Sequence, residues 1–525
     1  MSLALPAKPN LEFLRKQAKE LLAQLQQGDP AAAERFRALA LPDTPANARL
    51  ADAQHAIARE YGFASWPRLK THVESLARVL TPAQLLTAAI RAMDPEKTAR
   101  VLHDHPELKA RLDEPLADYG AGMPALLAAV QRSDRPTIDV LLQAGAGINA
   151  RSQWWAGGVG VLDECSPEMA PFLIERGALV DLPAAARLGM PEKLREILAA
   201  GPAAISARGA NGQLALHFAS TVEIAAILLE HGAAIDALDL LHESTPAQHM
   251  LRVVQARHYP RDRQDIARFL VARGCRTDLF MAAALGDLPL VRQHLDRDPA
   301  SIRMTVSETY FPKLDPRSEG TVYIPIFGPR KTPHQVARDF GHEEIFRLLM
   351  ERSPQDVKLA QACELGDAAL FHALLAARPH LAESLSEDDR RRLPDAAQSN
   401  NTEAVRLMLE AGWPVEATGE YDLTALGWAA WHGNAAMVRE ILRHHPQLER
   451  QDCHQQTALG AALHGSENSW HRDTGDYAAT VEALLDAGAT APELTDDLEA
   501  SDPVREVLRR RQLPLDANPE PMTEN

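Results

Sequence analysis

The stretch at residues 423–445 reads LTALGWAAWHGNAAMVREILRHH. Alanine and leucine are frequent in its first half, Gly433 interrupts it, and Ile441 and Leu442 form an apolar pair near its end. Small residues allow two helices to approach closely, a glycine allows the chain to reverse, and the apolar pair can pack against a neighbour. The pattern predicts two short antiparallel helices.

A similar pattern recurs in four compact segments along the chain. These segments begin at Thr87, Pro183, Met281 and Ala360. Each contains a pair of small residues, a turn of the Gly-Asp kind or its equivalent, an apolar pair and a proline. One pair of short helices cannot bury its own apolar face, whereas stacked pairs can. The recurrence therefore predicts a repeat array with inserts of variable length.

Longer segments of the chain resemble ankyrin repeats. The clearest are KTPHQVARDFGHEEIFRLLMERS at 331–353, NGQLALHFAS at 211–220 and the stretch at 423–445. The family's pattern contains Thr-Pro-Leu-His, an Ala-Ala pair, a Gly-His turn, a Leu-Leu pair and a Gly-Ala exit. His217 occupies the family's histidine position, and Gly427 and Gly460 replace it in the last two repeats. The resemblance implies an all-α protein, an ankyrin-repeat α-solenoid of stacked helix pairs with short β-hairpin fingers.

The extent of the repeats predicts three regions. Residues 1–78 contain amphipathic helices that end at Gly28 and Gly62. This segment resembles a helical segment found ahead of ankyrin arrays in bacterial proteins, and we expect it to act as a cap. Residues 79–490 form the array, with about twelve helix pairs. Residues 491–525 contain a C-terminal cap helix and a tail that we expect to be disordered.

Insertions into the array are expected near 251–263, 303–330 and 466–475. The middle insertion is β-branched and aromatic at both ends, which predicts an extended hairpin. The last insertion follows from spacing, because the step from Thr457 to Val481 is ten residues longer than the corresponding step in the preceding repeat. We expect it to lie in a surface turn between two helices, where extra residues hardly disturb stacking.

Composition limits the classes of partner. The formal charge of −17 argues against nucleic acid, because phosphate binding needs a concentrated basic surface. No stretch reaches the roughly 18 apolar residues that a membrane helix needs. The four cysteines are widely spaced without a CxxC pair, which favours reduced thiols over disulfides or zinc sites. We expect a cytoplasmic bacterial protein with no cofactor and no nucleic-acid or membrane partner.

The segment HGSENSWHRDTGDY at 464–477 is the strongest candidate for a catalytic or metal-binding site. Its histidines and aspartates are metal-ligand types, but they lack the fixed spacing that ligands have on a helix. Ser469 lies near His471 in sequence, yet neither a nucleophile elbow nor an oxyanion-forming glycine run accompanies it. We expect no catalytic, cofactor-binding or metal residues. The alternative is an enzyme or metal-dependent module with its site at 464–477.

A protein-binding surface has more support. In ankyrin repeats, the two residues after the Ala-Ala pair and the finger residues before the threonine face outward on the concave side. Carried over to this chain and joined with the last insertion, these positions are Glu420, Tyr421, Trp431, His432, Cys453, His454, Gln456, His464, Trp470 and His471. Trp and Tyr are enriched where protein interfaces are most energetic. The expected function is a non-catalytic scaffold that binds another protein through the concave surface and the inserted loops.

Overall fold

A computed structural model describes residues 5–6, 10–39, 48–63, 65–77, 80–251, 263–495 and 498–512. The chain divides into two compact units. The central unit comprises residues 80–353, and the terminal unit comprises residues 1–79 together with residues 354–525. The array predicted over 79–490 is therefore divided between the two units. The helices before residue 80 group with the repeats after residue 353.

The described residues form thirty α-helices. Before residue 80 these are α1 (Leu11–Gln26), α2 (Pro30–Arg37), α3 (Leu50–Glu60) and α4 (Trp66–Ala77). The central unit contains α5 (Pro82–Arg91), α6 (Pro95–Asp104), α7 (Ala125–Gln131), α8 (Arg135–Gln143), α9 (Val161–Glu164), α10 (Ala170–Glu175), α11 (Leu182–Arg187), α12 (Pro191–Ala200), α13 (Val222–Glu230), α14 (Pro246–His249), α15 (Gln264–Ala272), α16 (Leu279–Leu285), α17 (Leu288–Arg297), α18 (Tyr323–Phe327), α19 (Pro333–Asp339) and α20 (Glu343–Arg352). The terminal unit continues with α21 (Gln355–Leu365), α22 (Ala368–Ala377), α23 (Glu387–Arg390), α24 (Arg392–Gln398), α25 (Thr402–Glu410), α26 (Ala425–Trp431), α27 (Ala435–Leu442), α28 (Ala458–Asn468), α29 (Tyr477–Asp486) and α30 (Asp502–Gln512).

Short 3-10 helices connect several of these elements. They span Pro106–Arg111, Gly120–Gly122, Pro202–Ser206, Ala210–Gly212, Ala215–Phe218, Pro299–Arg303, Leu381–Ser384 and Glu420–Asp422. The predicted all-α class is confirmed. Within the described ranges the fingers carry only isolated β-bridges, Pro115 with Pro124 and Thr418 with Thr424, and no paired strands.

A recurring cap fixes the turn inside a helix pair. Gly433 ends the turn after α26 with a φ of 66°, a conformation that favours glycine. A Cβ there would also lie 2.8 Å from the ring of Tyr477. The side chain of Asn434 then accepts a hydrogen bond of 3.0 Å from the amide of Met437 and starts α27. Equivalent caps are made by Asp94, Asp134, Asp287, Asp367, Asn401 and Asp476.

Alanine-rich first helices form the centre of each unit. All seven residues of α16 are buried, as are six of the seven residues of α26. Trp428 in α26 is among them, as its position in the repeat predicts. A helix that is apolar on all faces needs cover on more than one side. Neighbouring helix pairs supply that cover.

The prediction of an extended hairpin at 303–330 is wrong. This segment consists of turns and the short helix α18. The carboxylate of Glu243 accepts a hydrogen bond of 2.7 Å from the backbone amide of Leu314, a group that a partner strand would satisfy in a hairpin. Both aromatic rings of α18 pack against the ring of Phe280. The aromatic residues therefore gather in one cluster and do not alternate across a strand.

Other expected segments are described only in part. Of the insertion near 251–263, only Leu251 and Arg263 are described, and residues 252–262 lie outside the described residues. The tail at 513–525 also lies outside them. Among the described helices, none has both the length and the apolar character needed to cross a membrane.

Ion pairs connect the N-terminal helices to the end of the chain within the terminal unit. The pairs are Asp52–Arg509 at 2.8 Å, His55–Asp502 at 3.0 Å and Arg68–Glu467 at 2.6 Å. Asp52 in α3 is buried, and the side chain of Arg509 in α30 is only 12% exposed. A buried carboxylate is costly without a charged partner. This pair therefore ties α3 to α30.

His217 is buried in the central unit and uses both ring nitrogens. Its Nδ1 accepts a hydrogen bond from the amide of Leu214 (3.1 Å), so its protonated Nε2 donates to the carbonyl of Ser244 (3.2 Å). Burial lowers the pKa of His217 from 6.5 to about 3, and the nearby His249 adds to this effect. The imidazole is therefore neutral near pH 7, and its hydrogen bonds hold the adjacent finger in place.

Replacing Arg509 by methionine should lower the free energy of unfolding of the terminal unit by about 3 kcal/mol, because the Asp52 carboxylate stays buried without its partner. The matched control is Arg510→Met, which removes an exposed pair with Glu482 and should cost less than about 1 kcal/mol. Urea unfolding followed by circular dichroism measures both values. Equal losses in the two variants would contradict the proposed role of the Asp52–Arg509 pair.

The stability of the central unit should fall as the pH is lowered below about 6.5. In the unfolded chain His217 takes up a proton near that pH, whereas in the folded state its pKa is about 3. At pH 5 this difference between the folded and unfolded pKa values of His217 lowers the free energy of unfolding by about 2 kcal/mol. Burial raises the pKa of Asp239, but hydrogen bonding with His249 lowers it and keeps it well below its usual range. Asp239 is therefore ionised throughout this window and does not contribute to the fall.

The pH effect is measured by urea unfolding at about pH 7 and about pH 5. A His217→Gln variant should be less stable at neutral pH and should lose less stability on acidification than the wild type. The exposed His103 of the central unit provides the control, and His103→Gln should keep the wild-type pH dependence. An unchanged pH dependence in His217→Gln would show that another group causes the fall.

Candidate binding surface

The candidate surface lies in the terminal unit, where the first helices of two successive repeats pack side by side. Trp431 is the last residue of α26, and His464 lies near the end of the adjacent α28. Their rings are 5.5 Å apart. Gly465 permits this approach, because a Cβ at that position would lie 2.5 Å from the carbonyl oxygen of Trp431. The small residues of the repeat therefore bring two outward-facing aromatic positions together.

The last insertion does not form the simple surface turn that its length predicts. Helix α28 continues through residue 468, so the insertion begins as helix. Ser469 is completely buried, and the hydroxyl of Ser466 accepts a hydrogen bond of 2.8 Å from the amide of Ser501. On the same side, Glu467 forms the ion pair with Arg68. The insertion is therefore an integrated part of the terminal unit, and its deletion would remove packing as well as a loop.

The insertion places Trp470 and His471 against the preceding repeat. The ring of Trp470 meets that of Trp431 edge to face at 6.1 Å, with an angle of 69° between the planes. Trp470 also lies 5.6 Å from the ring of His432, and His471 lies 5.1 Å from the same ring. Edge-to-face contacts of this kind are favourable. Trp470 nevertheless remains 65% exposed.

His432 was expected to face a partner, and the structure contradicts this. The residue is only 2% exposed because the rings of Trp470 and His471 cover it. Its Nε2 lies 2.9 Å from the carbonyl of Gln398 and donates a hydrogen bond to it. Burial lowers the pKa of His432. His432 is thus a neutral group that supports the exposed rings from beneath.

The predicted finger residues form a second aromatic group. Tyr421 is 52% exposed, has a positive φ of 59°, and lies 5.8 Å from the ring of His454. The Sγ of Cys453 is 3.3 Å from Nδ1 of His454. The buried Trp428 links this group to the first, because its ring lies 6.4 Å from Tyr421 and 5.9 Å from His432. The rings therefore form one continuous set.

The remaining predicted residues lie at the margin of this set. Glu420 is exposed beside Tyr421, and one of its carboxylate oxygens accepts a hydrogen bond of 2.8 Å from the amide of Gln398. Gln456 is half-buried, and its backbone amide donates to Asp452 within the finger. We define the aromatic surface as the partly or fully exposed ring-bearing residues Tyr421, Trp431, His454, His464, Trp470 and His471.

Sequence reasoning missed two residues beside the aromatic surface. Glu499 lies outside the repeat pattern, yet its carboxylate is 3.0 Å from Nδ1 of His464 and accepts a 3.0 Å hydrogen bond from Asn468. Tyr477 is buried, and its hydroxyl donates to the carbonyl of Trp431 at 2.9 Å. No periodic pattern in the sequence points to Glu499. Tyr477 follows the cap residue Asp476 and could be assigned to a helix start, but its contact with Trp431 could not be inferred.

The polar groups of 464–477 make local structural contacts. The ring nitrogen Nδ1 of His471 is 3.4 Å from the hydroxyl of Thr474, and Asp473 lies 3.8 Å from Arg472. Asp476 accepts from the amide of Ala479 and caps α29, as its position predicts. These residues do not converge on one point.

Among the described residues, one set of three metal-ligand types lies close together, His217, Asp239 and His249 in the central unit. Its candidate ligand atoms all lie within 4.8 Å of one another. Nδ1 of His217 already accepts a hydrogen bond, so Nε2 carries the proton. A metal ligand must offer an unprotonated nitrogen. The arrangement therefore fits a hydrogen-bonded histidine network better than a metal centre.

Comparison with known proteins matches part of the terminal unit. The family model described as ankyrin repeats (many copies) matches residues 393–442, which include α25 to α27 and all of α24 except its first residue. No curated protein sequence matches. The crystal structure of the human ASB11 ankyrin repeat domain is 17% identical, with an alignment that covers 59% of this chain and 99% of that domain at a TM-score of 0.24. The match confirms the resemblance seen in the sequence for residues 393–442, which contain ankyrin repeats.

Proposed function

We propose that this protein binds another protein through the aromatic surface and has no catalytic activity of its own. The observation that carries this proposal is the exposure of Trp470 beside Trp431 on the outward face of two packed repeats. A tryptophan that remains 65% exposed while its neighbours hold it in one orientation can bury a large apolar area against a partner. Ankyrin repeats generally act as protein-interaction modules.

The surface has the make-up of an interface centre with a polar margin. Trp431, Trp470 and Tyr421 supply rigid rings, whereas Glu420 and Gln456 supply polar groups at the edge. Interfaces depend most on a few aromatic residues surrounded by contacts that exclude water. We propose the same roles for these residues, with His432 as a supporting residue and not a contact.

The alternative function was an enzyme or metal-dependent module at 464–477. Its candidate groups make structural contacts instead, since Asp476 caps α29 and Glu467 pairs with Arg68. A catalytic site needs a nucleophile, a base and an orienting group within hydrogen-bond reach of one another. The described side chains of this segment do not form such a set, which favours binding over catalysis. We place the interaction in the cytoplasm, where unpaired thiols such as those of the four cysteines stay reduced.

Replacing Trp470 by alanine should weaken partner binding by about 2 kcal/mol or more, which is roughly a thirtyfold loss of affinity. Trp431→Ala should have a similar effect. The measurement is quantitative capture of partners from the native organism by the immobilised full-length protein, with each partner then titrated in purified form. Because Trp470 is largely exposed, its replacement should lower the melting temperature by only a few degrees, through the lost contacts with Trp431 and His432.

The matched control is Leu179→Ala, which truncates a large apolar side chain that is 74% exposed but lies in the central unit. This variant should bind like the wild type. If both tryptophan variants are folded and retain wild-type affinity for every captured partner, the aromatic surface is not the binding site.

A further inference from the structure

The region that carries the aromatic surface is strongly acidic. Residues 411–500 contain 15 Asp and Glu residues, four Arg residues and no Lys, which gives a formal charge of −11 with neutral histidines. The whole chain carries −17. Most of the net charge is therefore concentrated in these 90 residues. A field of one sign attracts partners of the opposite sign.

The arginines of this region that lie near the rings pair with carboxylates other than Glu420 and Glu499. Arg450 lies 3.6 Å from Asp422, and Arg472 lies 3.8 Å from Asp473. By contrast, Glu420 is bound by the neutral amide of Gln398. In the described part of the chain, no Lys or Arg side chain lies within ion-pair distance of Glu420.

Glu499, on the other side of the aromatic surface, resembles Glu420 in having no Lys or Arg partner among the described residues. Its carboxylate contacts Asn468 and the imidazole of His464, and no described Lys or Arg lies within ion-pair distance of it. Its side chain is 55% exposed. The charge of Glu420 also raises the pKa of the neighbouring Tyr421 hydroxyl, with a smaller effect of burial. Carboxylates without a Lys or Arg partner among the described residues therefore flank the rings at both ends.

Glu499 is connected to the two indole rings through His464. Trp470 meets Trp431 edge to face, and His464, which holds Glu499, packs against Trp431 as well. The faces of indole rings attract cations, and the planar guanidinium group of arginine stacks on them readily. An exposed carboxylate such as that of Glu499 can accept hydrogen bonds from another basic side chain of the same partner.

We infer that the partner of the aromatic surface is a basic protein segment that stacks an arginine side chain on the indole of Trp470 and places a further basic side chain at the carboxylate of Glu499. This inference rests on the proposed binding function and adds the chemistry of the partner. Additional basic residues of the segment lie towards Glu420 and Tyr421. An acidic or uncharged apolar segment is the competing occupant, and the experiment distinguishes it.

The test uses the full-length protein and three short peptides. The first alternates arginine and glycine, the second replaces each arginine by citrulline, and the third replaces each arginine by glutamate. Citrulline keeps the planar shape of arginine and removes its charge. Isothermal titration calorimetry should show binding of the arginine peptide, binding at least about tenfold weaker for the citrulline peptide, and none for the glutamate peptide. Binding of the arginine peptide should weaken as salt is added.

Variants locate the binding site. Trp470→Ala should weaken binding of the arginine peptide by about tenfold or more, and Glu499→Gln by about threefold or more. The control is Glu403→Gln, which removes an exposed carboxylate that is paired with Arg406 in the same unit and should not change binding. Glu499→Gln preserves the size of a half-exposed side chain, so the test does not depend on the folding of the tryptophan variant.

Each contrary outcome overturns the inference. If the citrulline or glutamate peptide binds as well as the arginine peptide and Trp470→Ala abolishes that binding, the aromatic surface binds a partner that is not basic. If the arginine peptide binds equally to Trp470→Ala, Glu499→Gln and the wild type, it binds elsewhere on the acidic chain. If no peptide binds, the basic partner is rejected, while loss of natural partners from the tryptophan variants would still support the proposed function.

Discussion

Each helix pair in this chain exposes an apolar face until another helix pair covers it. Helices α16 and α26 illustrate the constraint, since nearly all their residues are buried and their alanines leave room for neighbours to approach. The last pair of a stack has no further repeat to cover it. In the terminal unit, α3 and α30 lie at that position and are joined by Asp52 and Arg509. Because the apolar face of the last helix pair must be buried, helices from opposite ends of the sequence pack together.

Much of the fold could be predicted because residues at equivalent positions in a repeat meet equivalent surroundings. Trp428 lies where the repeat pattern places a core residue, and Asp476 caps α29 as its position before a helix indicates. The insertions could not be predicted in the same way. Ser466 bonds to the amide of Ser501, and Glu243 bonds to the amide of Leu314, which is 71 residues away. Such pairings follow no period, so neither spacing nor composition specifies them.

His432 shows how an insertion changes the residues of the repeat that it covers. The family pattern places this residue on an outward face, but the rings of Trp470 and His471 bury it. Burial then lowers the pKa of His432, so the imidazole is neutral near pH 7. The structure brings these aromatic residues together, but the insertion makes His432 inaccessible. Near neutral pH, carboxylates and not this histidine determine the charge of the surface.

The contacts that bury His432 also hold the aromatic surface in position without a partner. The hydroxyl of Tyr477 donates to the carbonyl of Trp431, and Arg68 forms an ion pair with Glu467 of α28. A flexible loop loses conformational entropy when it orders on binding, and this loss opposes association. Rings that are already packed against one another lose less conformational entropy when a partner binds. The exposed indole of Trp470 can therefore contribute most of its contact energy to a partner, because the helices beneath it have already fixed its orientation.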